Sequence, residues 1–172
     1  MSLQFANAKT AFVPDASNTR LLRDAFGRFA TGVTIVTTRT ESGAVAITAN
    51  SFASVSLDPP LVLWSPDRNS RRFPFFEDAE HYAIHVLAAD QRELCWQVAQ
   101  DAYALKNREL GINDQGVPIL PDCLARFDCT QKAVYDGGDH AIVLGQVTHA
   151  QMRDGGDALA FYMGQVGKFA PG

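Results

Sequence analysis

Alternation of apolar and polar side chains with a period of two residues is the pattern of half-buried β-strands. Residues 124–135 show it most clearly, with Phe127, Cys129, Ala133 and Tyr135 on one face and charged or hydroxyl side chains on the other. Alternation, β-branched content or a short apolar run also predicts strands at residues 33–38, 44–48, 61–64, 82–87, 141–150 and 158–163. The pattern therefore predicts about seven strands.

Helical periodicity is confined to a few segments. One stripe consists of five apolar residues at helical spacing: Leu21, Leu22, Ala25, Phe26 and Phe29. It predicts a helix that begins after an N-cap at residues 17–19, runs to about Ala30 and is ended by Gly32. A short helix at residues 69–77 and another from Asp90 are also predicted.

The connections decide between fold classes. Short polar turns join most of the predicted strands, and helices do not alternate with strands one for one. This arrangement predicts a mainly β fold, an antiparallel β-barrel with peripheral helices, in preference to a doubly wound parallel sheet. Residues 101–121 predict a loop-rich excursion. Residues 1–16 predict a flexible N-terminal arm in front of one domain at residues 17–172.

Composition and charge exclude several classes of partner. The chain has 15 basic and 19 acidic residues, so its net charge of -4 provides no basic footprint for nucleic acid or an anionic membrane surface. No apolar stretch approaches the roughly 18 residues of a membrane-spanning helix, and residues 1–20 lack a signal-peptide pattern. Cys95, Cys123 and Cys129 are odd in number without C-x-x-C spacing, which favours free thiols in the cytoplasm.

Familiar nucleotide and metal motifs are missing from the sequence. It contains neither G-x-G-x-x-G nor G-x-x-x-x-G-K-[ST], so nicotinamide or phosphate chemistry would require another scaffold. His81 and His85 have the spacing of a helical zinc pair but fall within a predicted strand. We therefore expect sheet packing and no metal site there.

The main candidate site is residues 48–56, TANSFASVS, which follow a predicted strand and are closed by Leu57-Asp58-Pro59-Pro60. Hydroxyl and backbone N–H groups that converge at a turn suit a phosphate. The N–H and C=O groups of an isoalloxazine edge would also find partners in such a segment, beside an apolar wall. The alternative is a hydroxyl-rich loop that only satisfies its own backbone.

Two further segments are candidates for ligand contact. Ser65 and Ser70 lie near Arg71 and Arg72, an arrangement that predicts a phosphate clamp, with a solvated basic turn as the alternative. His140 follows a Gly-Gly-Asp turn at the start of a predicted strand. Its side chain is either a ligand contact or an exposed turn residue.

Taken together, these segments resemble the flavin reductase domain family, whose members include reductase components that supply reduced flavin to monooxygenases. The resemblance rests on five collinear segments: residues 29–37 (FATGVTIVT), 46–52 (AITANSF), 54–62 (SVSLDPPLV), 82–87 (YAIHVL) and 138–147 (GDHAIVLGQV). The resemblance implies an FMN-binding split β-barrel, antiparallel and of the Greek-key type, that forms a homodimer. It also implies an NAD(P)H-dependent flavin reductase that transfers hydride from nicotinamide to FMN or FAD.

The resemblance also implies where the two nucleotides bind. Residues 33–36 and the segment after Thr48 would line the flavin, with the hydroxyls and Arg71 near the ribityl phosphate: Val33, Thr34, Ile35, Val36, Thr48, Ala49, Asn50, Ser51, Ser54, Val55, Ser56, Ser65, Ser70 and Arg71. His140 and Val166 would contact the nicotinamide. No catalytic acid or nucleophile is expected, because the cofactors carry the chemistry and the protein supplies proximity.

Two positions depart from the family pattern. His85 stands where members often have Asn, and Val166 stands where many members have an aromatic residue in a Gly-x-Tyr-Gly pattern. Two other functions remain open: a flavoprotein that reduces another small molecule, and a non-enzymatic FMN-binding carrier or redox sensor. A flavin reductase would exchange its flavin with the solution, whereas a carrier would retain its flavin tightly.

Overall fold

The structure is a computed structural model that describes residues 10–170. Within this range the chain forms three α-helices and twelve strands, with a 3₁₀ turn at Ala89–Gln91 before the third helix. The helices are α1 (Thr19–Phe26), α2 (Phe73–Glu77) and α3 (Arg92–Gln100). The strands are β1 (Thr31–Gly32), β2 (Thr34–Thr40), β3 (Gly43–Ala49), β4 (Ala53–Leu57), β5 (Pro60–Trp64), β6 (His81–Val86), β7 (Gly111–Ile112), β8 (Pro118–Ile119), β9 (Ala125–Gly137), β10 (His140–Met152), β11 (Ala158–Tyr162) and β12 (Gln165–Phe169).

Seven of these strands form one antiparallel sheet in the order β3-β2-β6-β9-β10-β5-β4. Its two edge strands, β3 and β4, are consecutive in the chain and are joined by residues 50–52. The pairing of β9 with β10 is irregular between Leu144 and Gly145 and again between Val147 and His149, as β-bulges produce. Bulges bend long strands and increase their twist, which lets this sheet curve around its core. The mainly antiparallel β fold with peripheral helices is as predicted from the sequence.

The core lies on both faces of this sheet, because successive residues of a strand point to opposite sides. Ile35 belongs to a cluster with residues of α3, β11 and β12, whereas the adjacent Val36 belongs to the cluster that includes Trp64 and Tyr82. Both side chains have no exposed surface. A smaller sheet of order β1-β11-β12 covers the first cluster, and β7 pairs with β8 in a third, two-stranded sheet.

The structure corrects several boundaries. Helix α1 ends at Phe26 and not near Ala30, because the next N–H groups, of Arg28 and Phe29, bond to the carbonyls three residues back and no longer four. Gly32, expected to stop the helix, instead lies in β1 and pairs with Ala160. The serine-rich stretch after residue 52 is an edge strand, β4, and not a loop. The predicted excursion contains β7 and β8, and β12 was missed.

Only part of the predicted N-terminal arm falls within the described residues. Residues 1–9 of it lie outside the described residues, and residues 10–16 are mostly exposed. No helix among the described residues combines the length and the apolar character needed to cross a bilayer.

Candidate functional site

The end of β3 is fixed by β2. Thr34 pairs with Ala49 in the sheet, and the hydroxyl of Thr34 donates a 2.8 Å hydrogen bond to the carbonyl oxygen of Ala49. Thr34 is almost fully buried, at 3% exposure. Asn50 is therefore the first residue after β3, and the end of that strand is fixed by the contact between Thr34 and Ala49.

Two cavities meet at Asn50 and Phe161. The smaller, of about 170 Å³, has mostly apolar walls: Val33, Thr48, Ala49, Asn50, Cys95, Trp96, Ala99, Phe161 and Val166. The larger, of about 610 Å³, lies against α1 and the turn after β11: Arg23, Asp24, Phe26, Gly27, Arg28, Phe29, Thr31, Asn50, Phe161, Met163 and Gly164. The amide of Asn50 thus stands between an apolar recess and a wider opening that carries two guanidinium groups.

Hydrogen bonds connect this region to the other predicted segments. The hydroxyl of Ser51 accepts a 2.9 Å hydrogen bond from the N–H of Ser65 and donates a 3.2 Å hydrogen bond to the carbonyl of the same residue. Two residues further on, Asp67 forms an antiparallel bridge with His140. The structure therefore brings together three segments that are far apart in the sequence, at Asn50–Ser51, at Ser65 and at His140.

His140 is held by its neighbour and remains partly open to solvent. Its Nδ1 lies 2.8 Å from the carboxylate of Asp139, and its side chain is 45% exposed. The hydrogen bond and charge of His140 lower the pKa of Asp139, and the positive charge of Arg23 contributes to the same effect. Arg23 on α1 is therefore within electrostatic range of the β9–β10 turn.

The arginines of the predicted phosphate clamp have different surroundings. Arg68 forms ion pairs with Glu77 and Asp136, and Arg72 donates a 3.0 Å hydrogen bond to the carbonyl of Ala99. Arg71 is exposed and makes no side-chain hydrogen bond or ion pair with another described residue. The hydroxyl of Ser70 accepts a hydrogen bond from the N–H of Arg72 at 3.3 Å. Arg71 is the arginine of this segment that is free to contact a ligand.

The sequence of residues 26–170 matches the model of a protein family described as "Flavin reductase like domain". The chain belongs to the flavin reductase family. This confirms the resemblance seen in the sequence and, with it, the predicted class of enzyme, an oxidoreductase that acts on flavin. The match covers both cavities apart from the part of α1 that precedes Phe26.

Similar proteins agree with this assignment. The chain is 51% identical over 159 residues to "FMN reductase (NADH) SmoA" of Agrobacterium fabrum. The alignment covers 92% of this chain and 91% of that protein. It is 35% identical over 162 residues to "Flavin-dependent monooxygenase, reductase subunit HsaB" of Rhodococcus jostii, with 94% and 83% covered. Two other relatives are longer, and the chain covers 49% and 47% of them.

A solved structure of the family supports the fold. The NADH:FAD oxidoreductase SgcE6 of Streptomyces globisporus, in complex with NAD and FAD fragments, superimposes with a TM-score of 0.85 at 32% identity. The alignment covers 94% of this chain and 98% of that one. The split-barrel fold predicted from the sequence is confirmed by this likeness.

The residues around Asn50 fit a flavin of the kind this family uses. Aromatic and thioether side chains form walls against which planar rings can pack: Phe26, Phe29, Trp96, Phe161 and Met163. The hydroxyl oxygen of Thr31 is buried at the larger cavity without a hydrogen-bond partner among the described residues. Buried polar atoms are usually paired, so this oxygen is available to a ligand.

Some predicted flavin residues do not face either cavity. The side chains of Ile35 and Val36 are fully buried in the two core clusters, and the hydroxyl of Thr34 is engaged with Ala49. These side chains can shape the site by positioning β2. Ser54 and Val55 are exposed on β4, with Ser56 between exposed and buried, in an edge strand that pairs with β5 alone. Whether they contact flavin stays a prediction.

The sequence did not indicate the α1 and α3 side of the site. Arg23, Phe26 and Trp96 line the cavities, yet none belongs to the segments that carried the prediction. The sequence held one signal of this side, the apolar stripe that makes α1 amphipathic. In the structure no residue of this helix is buried, so the stripe is not covered by the core. Among residues 10–170 no cluster of His, Cys, Asp and Glu could hold a metal ion.

His85, which departs from the family pattern, has a structural role. It has no exposed surface, its Nδ1 lies 3.0 Å from the carbonyl of Ile35, and its Nε2 accepts a 3.1 Å hydrogen bond from the N–H of Leu120. This geometry assigns the proton of a neutral ring to Nδ1. Burial is the main reason that the pKa of His85 falls to about 4, and the charge of Arg126 adds to it.

This buried ring predicts a pH-dependent stability. The unfolded chain binds a proton at His85 near pH 6.5, whereas the folded chain does not until about pH 4. The contribution of neutral His85 is therefore fully present above pH 6.5 and is lost as the pH falls through this window. We expect the free energy of unfolding to drop by about 2 kcal/mol between pH 7 and pH 5.

Urea denaturation at several pH values measures this effect. His85→Asn cannot titrate, and its stability should lose this part of the pH dependence. His149→Asn, at an exposed histidine, should keep the wild-type slope. Equal slopes for His85→Asn and the wild type would show that another group is responsible.

Proposed function

We propose that the protein is an NADH-dependent reductase of free flavin, with FMN as its preferred acceptor, and that flavin binds beside Asn50 where the two cavities meet. The observation that carries the proposal is the position of Asn50 at the junction of two cavities with aromatic walls. The next residue, Ser51, is tied to Ser65, and two residues beyond Ser65 the chain bridges to His140. The relative named as an FMN reductase that uses NADH supports the choice of both nucleotides.

The contribution of this chain is to bind and orient two nucleotides. When bound, the flavin accepts hydride from the nicotinamide, and that chemistry belongs to the cofactors. Asn50 offers an amide donor and acceptor at a fixed strand end, and the aromatic walls keep water from planar rings. Arg71 supplies a free guanidinium on the side of Ser65. His140, held by Asp139, presents its other ring nitrogen to the nicotinamide nucleotide.

We also propose that the working form is a homodimer. Helix α1 has an apolar stripe but no buried residue, and Phe26 and Phe29 are 69% and 77% exposed. A second copy would cover these rings and close the larger cavity, as an isologous interface does. Sedimentation at micromolar concentration should give twice the 18.7 kDa of one chain. Phe26→Asp should shift the protein to the monomer, and a monomeric wild type would refute the proposal.

The reduced flavin would pass to a separate monooxygenase in the cytoplasm. The relative described as the reductase subunit of a flavin-dependent monooxygenase supports this partner. Cys95, Cys123 and Cys129 are free thiols, as expected in a reducing compartment.

The alternative is a carrier that retains its flavin. The two functions differ in how NADH oxidation depends on free flavin. We expect protein dialysed to remove flavin to oxidise NADH only when FMN, FAD or riboflavin is added, at a rate that saturates with flavin concentration. Protein that stays yellow after dialysis and shows no stimulation by added flavin would support the carrier instead.

A further inference from the structure

Arg23 is a cation without a partner at the larger cavity. It lies in the last turn of α1, lines the cavity and is exposed. Its side chain makes no salt bridge or hydrogen bond with any other residue in the range 10–170. A guanidinium carries five N–H donors in a planar fork that matches phosphate oxygens, so Arg23 is equipped to bind an anionic ligand.

The surroundings of Arg23 indicate which part of the site it serves. Asn50 lines the same cavity as Arg23. It is followed by Ser51, which is hydrogen-bonded to Ser65, and two residues after Ser65 Asp67 bridges to His140. Asp139, next to His140, is within electrostatic range of Arg23. Arg23 therefore lines the cavity that Asn50 also lines, and its charge reaches the β9–β10 turn that carries His140.

We propose that Arg23 binds the pyrophosphate of the nicotinamide dinucleotide in the cavity that it shares with Asn50. The inference rests on the proposed function, because it names a residue that anchors the hydride donor of that reaction. It assigns to α1 a role in donor binding that the sequence did not reveal.

The neighbouring charges leave Arg23 available. Asp139 accepts a hydrogen bond from His140 and forms no salt bridge with Arg23. Asp24 and Arg28 also line the cavity, so with Arg23 the ionised side chains of its lining carry a net positive charge. The two phosphate groups of the nicotinamide dinucleotide would bring negative charge to Arg23. Hydrogen bonds between a guanidinium and a phosphate are strong because both partners are charged.

A phosphate could also come from the flavin, since FMN carries one on its ribityl chain. The two sources make different predictions. Riboflavin lacks a phosphate, and 1-benzyl-1,4-dihydronicotinamide donates hydride without any phosphate. If Arg23 serves the nicotinamide dinucleotide, its loss must affect NADH with either flavin and must not affect the phosphate-free donor.

The experiment compares Arg23→Gln with Arg20→Gln, which makes the same change at an exposed position of the same helix away from the cavity. We expect Arg23→Gln to raise the KM for NADH about tenfold, the loss of one charge-assisted hydrogen bond, with FMN or riboflavin as acceptor. The rate with 1-benzyl-1,4-dihydronicotinamide should be unchanged, and Arg20→Gln should match the wild type throughout.

Three results would overturn the inference. A KM for NADH within a factor of two of wild type shows that Arg23 does not bind the donor. A defect that appears with FMN but disappears with riboflavin assigns Arg23 to the flavin phosphate. A defect of equal size with the phosphate-free donor shows a general disturbance of the site. A wild-type protein that oxidises no NADH with any flavin refutes the proposed function itself, which separates the two failures.

Discussion

Replacing Asn50 and Ser51 together by Ala is expected to weaken flavin binding by about 1–3 kcal/mol, or roughly 5- to 150-fold in Kd. Asn50 loses the amide that stands at the junction of the two cavities. Ser51 loses the hydroxyl that accepts from the N–H of Ser65, so the wall on that side is no longer tied to the strand end. Thr34 still fixes Ala49, and the fold should therefore survive.

Flavin fluorescence quenching measures the affinity of this variant, and Trp96 at the smaller cavity offers a second signal from the protein. The matched control is Ser42→Ala with Asn107→Ala, which removes the same two functional groups from exposed turns. The control should bind flavin like the wild type. A double variant at Asn50 and Ser51 whose Kd stays within a factor of two would move the flavin site elsewhere.

Gly145→Ala is expected to destabilise the fold by on the order of 3 kcal/mol. Gly145 lies on β10 opposite the ring of Tyr82. A methyl group added there would lie 2.9 Å from the ring carbon Cζ, 3.3 Å from Cβ of Cys129, and closer still to the hydroxyl of Tyr82. Tyr82 is 1% exposed, so the ring has little freedom to move away.

Two variants keep the test of Gly145 specific. Gly167→Ala is the control, because an added Cβ at this strand glycine meets nothing within 4 Å. Tyr82→Phe removes the nearest atom, a buried hydroxyl that has no hydrogen-bond partner among residues 10–170. The cost of Gly145→Ala should be smaller in the Tyr82→Phe background. Urea denaturation of the wild type, Gly145→Ala, Tyr82→Phe and the double variant gives the coupling free energy between the two positions. Additive effects of the two substitutions on the free energy of unfolding would contradict the proposed clash.

The barrel was predictable where the sequence carries a strong period. β9 alternates, β10 begins with an apolar run after a short Gly-containing turn, and both were located within a few residues. β4 was missed although residues 53–57 (ASVSL) alternate, because the strand is short and its hydroxyl-rich sequence before Asp-Pro-Pro is typical of a loop. The end of α1 was misplaced because Phe29 continues the helical spacing although Gly27 already ends the helix.

The site was predictable only in part, for a physical reason. Residues 48–51 could be recognised in the sequence because hydroxyl and amide side chains are concentrated there, directly after a predicted strand. The other wall comes from α1, α3 and β11, whose side chains reach Asn50 only through tertiary packing. Arg23 has no local feature that distinguishes it from Arg20, since only the folded chain places one of them at the cavity.

Anaerobic mixing of the protein with FMN and NADH tests the central claim most directly. The account predicts that the visible absorbance of oxidised flavin disappears with consumption of one equivalent of NADH per flavin, at a rate proportional to protein concentration at low enzyme. The double variant at Asn50 and Ser51 should slow this reaction when flavin is below saturation. Loss of flavin absorbance at the rate seen without protein would contradict the account.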